Sequence, residues 1–146
     1  MKKNIKLVFI AFLLGLIFSA SEVKAYKPPF SHTRSWEEMQ EVGGIKVGKP
    51  SKSKNNTVFL PIKCDVSGLQ TITQKPTMMN SGLGVYKTEV KIEKNQILIS
   101  VVTCIISERY NPACKGVYLK KITPGKYDVF YYYANQKHLI GNVIIR

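Results

Sequence analysis

The sequence predicts an all-β sandwich entered through a short N-terminal helix, on three observations. From Gly44 onward apolar residues recur with a period of two, which is the period of a strand with one buried face. Turn-forming residues interrupt that pattern at roughly 8–12-residue spacing, the rhythm of sandwiches. The strings Val85–Cys104 and Lys126–Ile145 each read as two strands folded around a tight turn, a hairpin signature.

Residues 1–25 precede this domain and read as a secretory signal peptide. Lys2, Lys3 and Lys6 make a positive start, Leu7 to Ala20 an apolar run, and Val23-Lys24-Ala25 a cleavage sequence. The apolar run is shorter than the roughly 20 residues that span a bilayer, and no second run follows. With no cysteine at the cleavage point, lipoprotein processing is disfavoured. The expected mature chain, Tyr26 to Arg146, is exported, periplasmic or secreted, and carries no transmembrane anchor. It is long enough for one domain, divided into an extended leader and helix (26–43) and the sandwich proper (44–146).

Pro28-Pro29 keep the leader extended. Ser35-Trp36-Glu37-Glu38 fits a capping box, predicting about two turns of helix over 36–42, stopped by Gly43-Gly44. Trp36 and Met39 share one helical face, so Trp36 is expected to pin the helix to the sandwich. A short strand, 45–47, ends at Gly48-Lys49-Pro50, and Asn55-Asn56-Thr57 matches a glycosylation sequon. Val58, Leu60, Ile62, Cys64 and Val66 alternate with polar or ring residues, and Pro61 demands an edge or bulge because it cannot donate to a ladder. Residues 69–84 read as a long loop with one weak strand near 70–73. Strand 85–93 alternates Tyr86, Thr88, Val90 and Ile92 with Lys87, Glu89, Lys91 and Glu93, a charge-paired solvated face. After Lys94-Asn95, the run to Cys104 is apolar on both faces, which predicts a central strand. A loop (105–114), a strand (116–122), the turn Thr123-Pro124-Gly125 and a last hairpin across Asn135-Gln136 complete the chain.

The three cysteines are Cys64, Cys104 and Cys114, so at most one internal disulfide forms. Pairing Cys104 with Cys114 would stabilise by roughly 2.5–3 kcal/mol and Cys64 with Cys114 by about 4. That difference does not decide the connectivity, and Cys64–Cys104 also stays open. Local position favours Cys104–Cys114, which would pin both ends of one loop and leave Cys64 inert in the core.

Removing the signal's four lysines and Glu22 leaves 18 basic and 8 acidic residues, a formal charge of +10. Such a surface favours an anionic partner such as an envelope polymer, and an unknown protein is the other partner expected. The lysines are spread from Lys27 to Lys137 without a block of like charge, and no nucleic-acid motif is present. No C-x2-C or H-x3-H spacing suggests a metal, and no Gly-rich phosphate loop or nucleophile elbow suggests a cofactor or catalytic site. His32 falls in the leader and His138 opens the last strand, where a solvated histidine is expected. A non-enzymatic protein without cofactors is the expectation.

Phe130-Tyr131-Tyr132-Tyr133 places two rings on each side of a strand. Phe130 and Tyr132, joined by Tyr118, are candidates for ligand contact, since phenols add contact area at little entropic cost. The loop tip Glu108-Arg109-Tyr110 is the second candidate, as a wedge for a partner enzyme.

The strings "VKIEKNQILISVVTC" and "VYLKKITPGKYDVFYY", with "GIKVGKPSKSKNNTVFLPIKCDVSG" before them, resemble small exported bacterial domains with an immunoglobulin-like or fibronectin-like fold. In those, a Pro-Gly-x-Tyr turn precedes a late strand, as Pro124-Gly125-Lys126-Tyr127 does here. The resemblance implies an immunoglobulin-like antiparallel β-sandwich and transfers no active site. The function expected is an exported binding module of the bacterial envelope. The alternative is an inhibitor or immunity-type protein acting through loop 105–113.

Overall fold

The hairpin around Lys94-Asn95 is the spine of the protein. The structure, a computed structural model, describes residues 26–28, 30–53, 57–71 and 81–146. The signal segment, Pro29, Asn55-Asn56 of the sequon and residues 72–80 of the expected loop lie outside the described residues. Strands β7 (Ser81–Glu93) and β8 (Gln96–Ile105) pair antiparallel along their length, with a register slip between Val85 and Lys87. β7 thus starts at Ser81, inside the segment read as loop, and pairs there with the short β6 (Gln70–Thr71).

β8 is central, as its two apolar faces require. Residues Ile97 to Cys104 are all buried. Its first half pairs in parallel with β10 (Gly125–Tyr133), Gln96–Ile99 against Asp128–Tyr131. Its second half pairs with β1 (His32–Thr33), a strand within the leader that the prolines hid. β11 (Gln136–Ile145) closes the sheet, giving the order β11-β10-β8-β7-β6. The parallel pair departs from the purely antiparallel expectation. Between β8 and β10 the chain visits another sheet as β9 (Val117–Leu119), so it returns running the same way. The last turn lies at Ala134-Asn135, one residue earlier than expected. Both have positive φ, 46° and 64°, as a two-residue hairpin turn matched to strand twist requires.

The second layer is built from short pieces. β3 (Ser51–Lys52), β4 (Val58–Leu60) and β9 form one antiparallel sheet, and β2 (Lys46–Val47) pairs with β5 (Ile62–Lys63). Pro61 divides β4 from β5, and its carbonyl still accepts from Gly48 N–H at 2.8 Å. The missing donor therefore splits one strand into two that face different partners. Val58, Leu60, Ile62, Val117 and Leu119 share one core with Ile97, Ile99, Val101, Val129, Tyr131 and Val143 of the large sheet. The protein is all-β apart from α1 (Trp36–Glu41), six residues with a complete Ser35/Glu38 capping box.

A polar lock fastens α1. Arg34 is 8% exposed; its Nε donates to Thr103 Oγ1 at 2.6 Å and its Nη1 to Glu38 Oε1 at 2.8 Å. Tyr131 hydroxyl donates to Arg34 carbonyl at 2.7 Å, and burial pushes the Tyr131 pKa up to about 12. Trp36 packs 5.9 Å from Tyr131 and stacks on His138 at 4.7 Å. His138 is therefore half-buried against an aromatic ring, not the solvated histidine the sequence suggested.

The disulfide is Cys64–Cys114, with Cα atoms 5.1 Å apart, and Cys104 is the free cysteine. This corrects the expected Cys104–Cys114 pair and reverses the roles of Cys64 and Cys104. After β8 the chain runs back beside residues 64–66: Cys114 N–H donates to Cys64 carbonyl at 3.0 Å and Val66 N–H to Pro112 carbonyl at 3.0 Å. Cys64 and Cys114 are thereby cross-strand neighbours. Cys104 belongs to the buried run of β8, and burial pushes its thiol pKa up.

Candidate functional site

Charge is sorted between the layers. On β7, alternation sends Lys87, Glu89, Lys91 and Glu93 to one face. Lys87 pairs with Glu89 at 2.6 Å, Lys91 with Glu93 at 2.6 Å, and Lys137 of β11 reaches Glu93 at 3.1 Å. Glu93 accepts hydrogen bonds from Lys91 and Lys137, which hold its carboxyl below the ordinary value. Two carboxylates thus offset most of the charge of three lysines, and the pairing within β7 is the one the sequence indicated.

A second surface is not offset in this way. The open edge of β11 and the segment 47–52 face one another across a cleft of about 760 Å³. A second hollow, about 650 Å³, shares Lys52, Val58, Ile145 and Arg146 with it, so the two adjoin. Lys49, Lys52, Lys120, Lys121 and Arg146 line this surface, and no Asp or Glu does. Among the described residues, none of these five cations forms an ion pair. Lys52 and Arg146 meet here only because β3 and the end of β11 lie on the same side of the core. The lysines were visible in sequence as scattered charge; their convergence was not, since no local spacing announces it.

The expected aromatic site divides in two. Tyr131 is fully buried, while Phe130 and Tyr132 are half-buried on the opposite face of β10. Tyr132 lines a separate groove with Leu98, Ser100 and Lys91, and its hydroxyl donates to Asn135 Oδ1 at 2.9 Å. Tyr118 does not join them. β9 pairs with β4 and not with β10, which puts Tyr118 on the other layer, opposite Phe59. Their rings lie 5.1 Å apart.

Loop 105–114 carries Glu108, Arg109 and Tyr110. Ser107 and Tyr110 exchange backbone hydrogen bonds at 3.3 and 3.1 Å, lifting Glu108 and Arg109 to an exposed tip. Tyr110 sits edge-on to Tyr86, ring centroids 5.6 Å apart. Val85 N–H donates to Asn111 carbonyl at 2.8 Å, and Gly84 admits the Tyr110 backbone where a Cβ would collide. The loop is pre-ordered, with the disulfide at one end only.

Among the described residues, no group of three His, Cys, Asp or Glu could hold a metal, and no helix is long and apolar enough to cross a membrane. No protein-family model, no characterised protein and no solved structure matches the chain.

Proposed function

We propose that this protein is an exported, non-enzymatic binding module of the bacterial envelope whose ligand is an anionic polymer. The observation that carries the proposal is this pair of adjoining hollows, whose five cations form no ion pair among the described residues and whose lining includes no Asp or Glu. Low-dielectric walls around charges of one sign concentrate field lines and raise the local concentration of counter-charged ligands. The signal-like residues 1–25 and the Cys64–Cys114 disulfide support export, because disulfides persist in oxidising compartments. A non-enzymatic role is supported by the engagement of the best-suited groups elsewhere: His138 stacks on Trp36 and Cys104 is buried. The immunoglobulin-like resemblance is supported by Tyr127, whose hydroxyl donates to Thr123 carbonyl at 3.0 Å, the geometry of a tyrosine corner.

A second reading is an inhibitor or immunity-type protein that presents Glu108-Arg109. The pre-ordered loop favours it, since ordering in advance lowers the cost of binding. Calorimetric titration with a polyanion at low and high salt separates the two. A cleft-bound polymer loses affinity steeply as salt rises and is lost when Lys49, Lys52, Lys120 and Lys121 become Gln. Salt-independent capture of a protein that fails with Glu108→Ala and Arg109→Ala would replace the first reading with the second.

A further inference from the structure

The outward row of the second layer gives the ligand of this cleft a more specific chemistry. Antiparallel partners project to the same side, and Val58, Leu60, Val117 and Leu119 are buried inward. Phe59 and Tyr118 therefore face outward together, and Ser51, opposite Phe59, completes the row. Phe59 lies against Gly116, where any Cβ would overlap its ring. Thus seated, Phe59 backs Tyr118 at an interplanar angle of 48°. Tyr118 keeps 58% of its surface exposed, and its hydroxyl has no hydrogen-bond partner among the described residues. At one end of the row Ser51 lines the first hollow; Lys120, exposed and two residues beyond Tyr118, lines the adjoining one.

From this we infer that the anionic polymer is an acidic polysaccharide, one ring of which lies on Tyr118 while its neighbours place their charges among Lys120, Lys52 and Lys49. The inference rests on the polyanion reading of the cleft. An aromatic face is electron-rich, and one face of a pyranose presents several C–H bonds whose weak positive ends suit it. A phenol held in place by Phe59 loses little freedom on binding. Polyphosphate has no surface for the ring to contact. An extended acidic peptide would use the strand edges and leave Tyr118 idle.

The test is calorimetric titration of the purified protein, at one salt concentration, with four oligomers whose lengths are chosen to give equal charge: hexagalacturonate, an oligoglutamate, an inorganic polyphosphate and a single-stranded oligodeoxynucleotide. Hexagalacturonate should bind about tenfold tighter than the other three. Tyr118→Ala should remove that advantage without changing the phosphate affinity, and Tyr118→Phe should keep it; thermal melts verify that both variants fold. Equal affinity for all four, a preference for the peptide or oligonucleotide, or an undiminished preference in Tyr118→Ala overturns the polysaccharide and leaves the polyanion reading standing. Failure of all four to bind removes the polyanion reading and this inference with it.

Discussion

The two layers of this protein solve different problems. The large sheet is built on four strands of 9 to 13 residues, to which the two-residue β1 and β6 are added; β8 is buried on both faces, and Lys87, Lys91 and Lys137 are paired with Glu89 and Glu93. The second layer consists of strands of two or three residues, interrupted by Pro61, tied by a disulfide and edged with unpaired lysines. Long strands hold themselves through many cooperative pairs. Short ones depend on the core beneath them and on covalent closure. On the proposed function, the long strands supply the scaffold, and the short ones, with the end of β11, supply the charged surface. The difference also shows that net charge describes a protein poorly until its counter-charges are placed.

The contrast breaks most visibly through charge. Converting Lys49, Lys52, Lys120 and Lys121 to Gln should weaken polyanion binding on the order of 10³-fold, at about 1 kcal/mol per lysine. The same change at Lys87, Lys91 and Lys137 should leave affinity within about twofold, because those charges are already offset. Equal losses per lysine in the two sets of substitutions would mean that total charge matters and the cleft does not.

Cysteine replacement sharpens the structural half. The Cys64–Cys114 bridge closes a loop across a separation of 50 residues, so the double alanine variant should lose about 4 kcal/mol in urea unfolding. Cys104→Ala removes one buried sulfur and should cost about 1–2 kcal/mol. The reverse order would place the covalent constraint at the large sheet. Glycine substitutions make a finer contrast. Gly116→Ala drives a methyl into the Phe59 ring and should cost about 2 kcal/mol. Gly82→Ala in β7 meets only Ile106 Cγ2 at 3.4 Å, ordinary contact, and should stay within about 0.5 kcal/mol.

The smallest effect is pH-dependent and belongs to the lock on α1. Burial disfavours the Glu38 carboxylate, but the Ser35 N–H and the Arg34 guanidinium together outweigh it and hold its pKa below 4.5. A carboxyl depressed in the folded state adds stability above its unfolded pKa, and that contribution is lost as pH falls through the folded value. Wild type should therefore lose under about 1 kcal/mol more than Glu38→Gln between neutral pH and pH about 3. Parallel pH curves for the two proteins would show that Glu38 contributes nothing to the lock.

Local rules carried the sequence reading a long way. Alternation located the outward charges of β7 and the doubly buried run of β8, and Ser35 with Glu38 marked the start of α1. Pro61 announced a break in its strand. The same rules failed where partners are distant. Cys104 was legible as part of the β8 run, yet nearness in sequence to Cys114 outweighed that signal. The leader hid β1, because two residues of strand beside prolines carry no period.

By itself, then, the sequence determined the strand period, the hairpins, the helix cap and the excess of positive charge, all of which depend on neighbours a few residues apart. Only the tertiary structure decided which cysteines meet, that Tyr118 leaves Phe130 and Tyr132 for Phe59, and that Lys52 and Arg146 share a cleft lined by no Asp or Glu. Those outcomes follow from sheet order and from the crossing of β9 between layers. Such long-range packing brings together residues whose local patterns carry no information about one another.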